Sequence, residues 1–260
     1  MAADNAQAIV IRTVPFSETS AVVTLFTREF GKLRALAKGA WRQKSAFDAA
    51  LDLLSSCQVL VFRKSSDGLD LLAEARLESR FRVGSSLLAF HGGMYVAELL
   101  DVLTADADPQ TELFDGAEKT LRELSDYDGH DDQIQTLVIR TELEMLRMAG
   151  HAPMLKGCAE CGMLLENRGR TAFGMLDGGS LCIGCRRGKR SVVSVSTDAM
   201  QALLSLAESE NSWRTLAVSD AIRGEMRAIM NTYFAHLVGR RLKIAPLLLS
   251  SLRSRKTRSS

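Results

Sequence analysis

The sequence predicts a multidomain α+β protein. Its hydrophobic period changes from two residues to 3.6 near position 84, and two C-x-x-C pairs interrupt the later, helical part. Charge divides along the same lines. Residues 1–83 hold 12 Lys+Arg against 9 Asp+Glu, residues 84–150 hold 4 against 14, and residues 151–260 hold 17 against 8. Basic ends fit a polyanionic partner. The acidic middle repels phosphate and is expected to be a solvated face or a docking surface for a basic protein.

The β part comes first. Ala8 to Val14 is rich in β-branched residues and stops at Pro15, and Ala21 to Thr27 is a second strand. Glu29-Phe30-Gly31-Lys32 is a turn, and Leu33 to Lys38 alternates up to Gly39. Leu60 to Arg63 and Leu69 to Ala73 flank the turn residues Ser65-Ser66-Asp67-Gly68. Five short strands in one small domain, residues 1–83, predict a closed barrel of the OB-fold type. The stretch from Ala40 to Leu54 has room for the barrel's connecting helix. Cys57 lies in an apolar run and reads as a small buried hydrophobe.

Helices follow. Leu87, Leu88, Phe90, Tyr95, Leu99 and Leu103 recur on one face, and the pattern stops before Asp106-Ala107-Asp108-Pro109. Leu113, Ala117, Leu121 and Leu124 make a second helix, and Ile134 to Ala149 a third that ends at Gly150. Ser196-Thr197-Asp198 caps a fourth, and a long last helix runs from about Ser219 to Gly239. The expected α-helical domain is therefore residues 84–150 with 191–250. Residues 151–190 form an insertion into it, and 251–260 a disordered basic tail.

Within the insertion stand Cys158-x-x-Cys161 and Cys182-x-x-Cys185, with twenty residues between the pairs. Each C-x-x-C turn presents two sulfurs to one ion, and two turns close a tetrahedron. The spacing therefore predicts a four-cysteine zinc ribbon with a structural Zn²⁺ at Cys158, Cys161, Cys182 and Cys185. Gly157, Gly162, Gly178, Gly179 and Gly184 supply permissive backbone at the knuckles. Two other uses of the cysteines are weaker. Disulfides need an oxidising compartment, and a redox dithiol needs a βαβ context that is not visible here. Arg186, Arg187, Lys189 and Arg190 form a basic patch directly after the last ligand.

Enzyme signatures are absent from the sequence. Gly184 to Lys189 has too few intervening residues for a P-loop, lacks Ser/Thr after the Lys and contains a metal ligand. His91, His130, His151 and His236 are scattered. No stretch is long and apolar enough for a membrane helix, and the first residues lack a signal-peptide pattern. A cytoplasmic protein is expected.

Cations and aromatics interleave around the barrel strands. Arg12, Arg28, Lys32, Arg34, Lys38, Arg42 and Lys44 are the expected nucleic-acid contacts, together with the patch at Arg186 to Arg190. Phe16 and Phe30 are expected in the barrel core. Trp41, in a loop between Ala40 and Arg42, is the better base-stacking candidate.

Four blocks in order carry a resemblance to a known family. They are Ala8 to Thr19 with Leu25 to Ala40, then Tyr95 to Leu100, Leu146 to Pro153, and His236 to Lys243, with the cysteine pairs between the third and fourth. The chain resembles the bacterial recombination mediator RecO family over most of its length. One departure is Ile244, where the family pattern commonly has Ser.

The resemblance implies a non-enzymatic protein of DNA repair and homologous recombination. Such proteins bind single- and double-stranded DNA and anneal complementary strands. With RecR and the single-stranded DNA-binding protein SSB they help RecA load at the bacterial nucleoid. The acidic C-terminal tail of SSB is then expected at a basic, apolar groove near Arg223, Arg227, Arg240 and Arg241. A zinc-ribbon protein of transcription or translation that binds RNA or a polymerase is the competing reading. A third is an enzyme with dispersed catalytic residues.

Overall fold

The structure is a computed structural model that describes residues 3–43, 45–47, 50–64, 68–127, 129–165 and 169–249. It divides into two compact units, Met1–Asp128 and Gly129–Ser260.

The first unit holds β1 (Ala3–Pro15), β2 (Ala21–Thr27), β3 (Gly31–Ala37), β4 (Ser56–Phe62), β5 (Asp70–Ser79), α1 (Leu87–Leu103) and α2 (Thr111–Asp126). The strands pair in the order β1-β2-β3-β5-β4, and β4 returns to β1, so the barrel closes. Only β3 and β5 run parallel. This is the five-stranded arrangement expected of an OB-fold. Closure leaves no open edge. Small and branched residues alternate inward: Val10, Ala21, Val23, Leu25, Ala35, Ala37, Val59 and Val61 fill the interior with Cys57 and Leu72. Burial pushes the Cys57 thiol up to about 12, as fits a packed hydrophobe.

Between β3 and β4 the described residues form turns, not the connecting helix that the sequence has room for. Phe47, Ala50 and Leu51 turn in to plug the barrel instead. α1 starts at Ser86, whose side chain accepts from the Ala89 N–H at 3.1 Å. Leu88, Tyr95 and Leu99 are buried as expected, but Leu87 and Phe90 are exposed. They sit in the first turn, where the apolar stripe runs past the packed face. α2 packs on the barrel through Phe114, whose ring stacks on Phe26 with centroids 6.1 Å apart. These contacts place α1 and α2 in the same unit as the barrel.

The second unit holds α3 (Asp131–Met148), β6 (Arg170–Gly174), β7 (Gly179–Leu181), β8 (Val192–Ser196), α4 (Thr197–Glu208), α5 (Ser212–Thr215), α6 (Asp220–Val238) and a 3-10 turn at Ala245–Leu249. β6 is the middle strand of a small antiparallel sheet, β7-β6-β8. Ser196 and Ser219 cap α4 and α6, accepting from Ala199 and Ile222 N–H groups, and Gly239 ends α6 in the left-handed conformation. Phe173 meets Tyr233 edge-on at 5.9 Å, and the Tyr233 hydroxyl donates to the His151 carbonyl at 3.0 Å. One side chain of α6 thus ties the sheet to the segment leaving α3. Among the described residues no helix is long and apolar enough to cross a membrane.

Candidate nucleic-acid interface and metal centre

Strand register decides which barrel residues face outward. Arg12 stands opposite Thr24, and Thr24 opposite Arg34; one step along, Val14 stands opposite Val22, and Val22 opposite Leu36. Their neighbours Val23, Ala35 and Ala37 point into the core, so this set lies on the outer face. A register shift between Val10 and Arg12 brings Arg12 outward. The alternation carries Lys38, after β3, to the same face as Arg34 and Leu36.

Two loops meet at the end of this face. The Trp41 N–H donates to the Thr19 carbonyl at 3.1 Å, and the Gly39 N–H to the Ser20 hydroxyl at 3.3 Å. The β1–β2 turn is thereby fixed against the loop after β3. Phe16 is 62% exposed and Trp41 50% exposed, and Arg12, Lys38 and Arg42 are exposed beside them. The result is an open face with aromatic and aliphatic surface among cations. Lys44 lies outside the described residues.

Phe16, expected in the core, is not there: it follows Pro15 at the strand end, beyond the barrel interior. Phe30 is partly buried against the core, and the Arg63 guanidinium lies 4.7 Å above its ring. Phe47 is core.

Three other expected contacts are held by their own unit. The Lys32 ammonium is buried and donates to the Asp101 and Thr104 carbonyls at 2.7 and 2.8 Å. Arg28 donates twice to Asp115, at 2.8 and 3.0 Å, and Arg34 to Asp106 at 2.8 Å. The side-chain hydrogen bond with Arg28 holds the Asp115 carboxyl below the usual carboxylate range. Part of the acidic segment is therefore spent on the barrel's own cations. The sequence alone assigns that segment to solvent or a partner, because pairing across 69 to 87 residues leaves no local signal.

In the second unit the two C-x-x-C turns converge. The sulfurs of Cys158, Cys161, Cys182 and Cys185 all lie within 4.8 Å of one another, and those of Cys161 and Cys182 are 4.0 Å apart. A tetrahedron with metal–sulfur bonds of 2.3 Å has edges of roughly 3.8 Å, so the donor set fits one thiophilic ion.

The knuckles are built by backbone bonds. Cys158 N–H donates to Met163 at 2.8 Å, Gly162 N–H to Cys158 at 2.9 Å and Arg186 N–H to Cys182 at 3.0 Å. Gly162 has φ +73°, a conformation that favours glycine at the turn.

The thiols differ. Burial raises Cys158, but hydrogen bonds from the backbone at Cys161, Cys182 and Glu160 and from the Cys161 side chain outweigh it and hold it at about 6. Hydrogen bonds to the Cys182 and Cys161 side chains push Cys185 up to about 12.

Beyond the knuckle Arg186, Arg187 and Arg190 are exposed, while Lys189 is bound to Asp177 at 2.8 Å and Glu160 at 2.6 Å.

Arg223 and Arg227 do not form an accessible basic groove. They are 5% and 4% exposed. Arg227 bonds the buried Glu142 of α3, and Arg223 bonds Asp220 at 2.7 Å and lies 3.3 Å from Asp132. A buried carboxylate needs a cation, and α6 supplies it to α3. Arg240 and Arg241 are exposed at the end of α6, beside a surface groove of about 680 Å³ lined by Asn231, Thr232, Ala235, Leu242 and Pro246.

Comparison with known proteins bears on both units. Residues 1–81 match the family model for the recombination protein O N terminal region, and residues 84–244 the one for its C terminal region. The chain belongs to the RecO family. It is 38% identical to the DNA repair protein RecO of Rhodopirellula baltica, over 95% of this chain and 99% of the relative. The DNA repair protein RecO of Myxococcus xanthus is 32% identical over 91% and 93% of the two chains, and that of Exiguobacterium sibiricum 31% over 92% and 94%. This membership gives the chain a role in DNA repair and recombination.

Proposed function

We propose that this RecO-family chain is a non-enzymatic recombination mediator that holds single-stranded DNA on the outer face of β1–β3. The bond from Trp41 to Thr19, which gathers Trp41, Phe16, Lys38 and Arg42 at one end of that face, carries the reading. Cations along a strand neutralise phosphates, and exposed rings stack bases without sequence preference. Annealing needs this neutralisation and no covalent step. Arg186, Arg187 and Arg190 add a second basic surface that suits duplex.

The cysteine cluster holds Zn²⁺ in a structural role. All four donors are protein sulfurs, so no position is left for a substrate. The metal fixes the knuckles and supplies no chemical step. RecR and SSB are the proposed partners, with RecA loading as the outcome. The acidic SSB tail would seek Arg241 and the groove beside it rather than the buried Arg223 and Arg227. The proposed division of labour is residues 1–83 for DNA, 84–150 with 191–250 as helical scaffold and 151–190 as ribbon, in a cytoplasmic protein at the nucleoid.

Trp41 is half exposed and Trp213 is buried, so quenching of intrinsic fluorescence by an oligonucleotide reports on Trp41. Titration with a single-stranded 20-mer, followed by annealing of complementary strands without nucleotide, tests the proposal. Quenching that disappears in Trp41→Phe and annealing without ATP are expected. No quenching and no annealing would overturn it. Preference for RNA over DNA in competition would favour the zinc-ribbon RNA-binding reading.

A further inference from the structure

Two cations of the barrel are closed by carboxylates of their own unit. The Arg28 guanidinium grips Asp115 with two bonds, and Arg34 bonds Asp106 with one. Both pairs are open to solvent, with side chains 40% and 53% exposed in the first and 63% and 51% in the second. Exposed pairs of this kind are weak and exchange partners readily. The two-bond grip is also how a guanidinium holds a phosphate.

Lys32 is different in kind. Its ammonium is buried, donates to two main-chain carbonyls and lies 3.6 and 3.8 Å from the Asp101 and Asp106 carboxylates, so no polyanion can reach it and Asp106 is shared between Lys32 and Arg34. Arg34, in contrast, shares a cross-strand row with Thr24 and the exposed Arg12. Asp106 therefore sits on a cation of the same outer face that carries Lys38 and the aromatic end.

We propose that Arg28 and Arg34 are two further phosphate-binding positions, kept closed by Asp115 and Asp106 respectively and opened when a nucleic-acid strand displaces these carboxylates. The proposal rests on the reading of the β1–β3 face as a nucleic-acid surface. It gives the acidic segment a role: its carboxylates occupy the places that phosphates take when a further length of strand, or a second strand, arrives. Glu29 and Glu118 also attract Arg28, and each has a partner of its own: Glu29 accepts from the Gln7 N–H and Glu118 from the Ser56 hydroxyl, both at 3.0 Å. A strand on the open face raises the local phosphate concentration, so the weak carboxylate contacts are the ones to give way.

The test is a double-mutant cycle read by oligonucleotide affinity and its salt dependence, with single-stranded and duplex 20-mers. Asp115→Asn should tighten binding by up to about fivefold and steepen the salt slope by about 0.7 for single strands. Arg28→Gln alone should weaken binding modestly, because the strand loses the position it opens, and Arg28→Gln in the Asp115→Asn background should cancel the gain of the Asn change. Asp106→Asn with Arg34→Gln should repeat the pattern. Both Asn changes are isosteric and exposed, and thermal melts check that the fold is kept.

A gain that survives removal of the arginine would mean a general charge effect and would overturn the proposal, as would unchanged affinity and slope in both Asn variants. If Lys38→Gln/Arg42→Gln binds like the wild type while the Arg28–Asp115 cycle closes as expected, the open-face reading fails and the position at Arg28 stands.

Discussion

The Lys32 ammonium donates to the Thr104 carbonyl at 2.8 Å, at the C-terminal cap of α1. A second bond reaches the Asp101 carbonyl at 2.7 Å, and the Ala107 N–H donates back to the Lys32 carbonyl at 2.9 Å. A cation at a helix C-terminus satisfies carbonyls that lack partners and complements the helix dipole. One residue of β3 thus fastens α1 to the barrel. Lys32→Met should destabilise the first unit by about 1–3 kcal/mol, because two buried carbonyls lose a charged donor. Urea unfolding measures this. DNA affinity at a temperature where the variant is folded should stay within about twofold of wild type, a change worth roughly 0.4 kcal/mol.

Gly31 faces the same loop. A Cβ there would stand 2.1 Å from the Asp108 carbonyl oxygen, and φ is +69°. Gly31→Ala should therefore separate the 106–108 loop from β3 and lower the melting temperature more than Gly84→Ala, whose Cβ meets nothing. Equal melting temperatures for the two variants would contradict the close approach.

Glu225 gives a pH dependence. Burial raises its carboxyl, but hydrogen bonds from the Ser196 side chain and N–H and from Arg170 outweigh it, so the folded value lies below the usual glutamate range. A depressed carboxyl adds stability above the unfolded pKa and loses it as pH falls through the folded one. Glu225→Gln should thus be less stable than wild type at pH 7, and the difference should shrink on acidification below about pH 4.3. Thermal melts from pH 7 to pH 3 check this.

The ribbon should respond to metal and not to strand chemistry. Cys182→Ser, or a strong chelator, should raise hydrogen exchange in β6 and β7 and leave the barrel's exchange unchanged. Zinc analysis of reduced protein should give one ion per chain, absent from the variant. A variant that keeps both its ion and its protection would argue against four-sulfur ligation.

Much of this is legible in local pattern. Alternation places the barrel strands, the Ser196 and Ser219 caps and Gly239 fix the ends of α4 and α6, and cysteine spacing alone places the cluster. What escapes is long-range charge pairing. Arg223 and Arg227 read as part of a basic, apolar groove, yet their side of α6 is turned inward against α3. Glu142, flanked by apolar residues of α3 and fully buried, is the available sign that a buried cation must meet it. Phe16 escapes for another reason: strand alternation does not say where the barrel interior stops, and Phe16 lies one residue past Pro15, the last residue of β1.

The most direct test of the open face is the salt dependence of single-stranded oligonucleotide binding by Lys38→Gln/Arg42→Gln. Each phosphate that is no longer neutralised should reduce the slope of log K against log salt by about 0.7, so a fall of about 1.4 is expected, with affinity reduced alike across sequences. A slope equal to that of the wild type would contradict DNA binding on the β1–β3 face and direct attention to Arg186, Arg187 and Arg190.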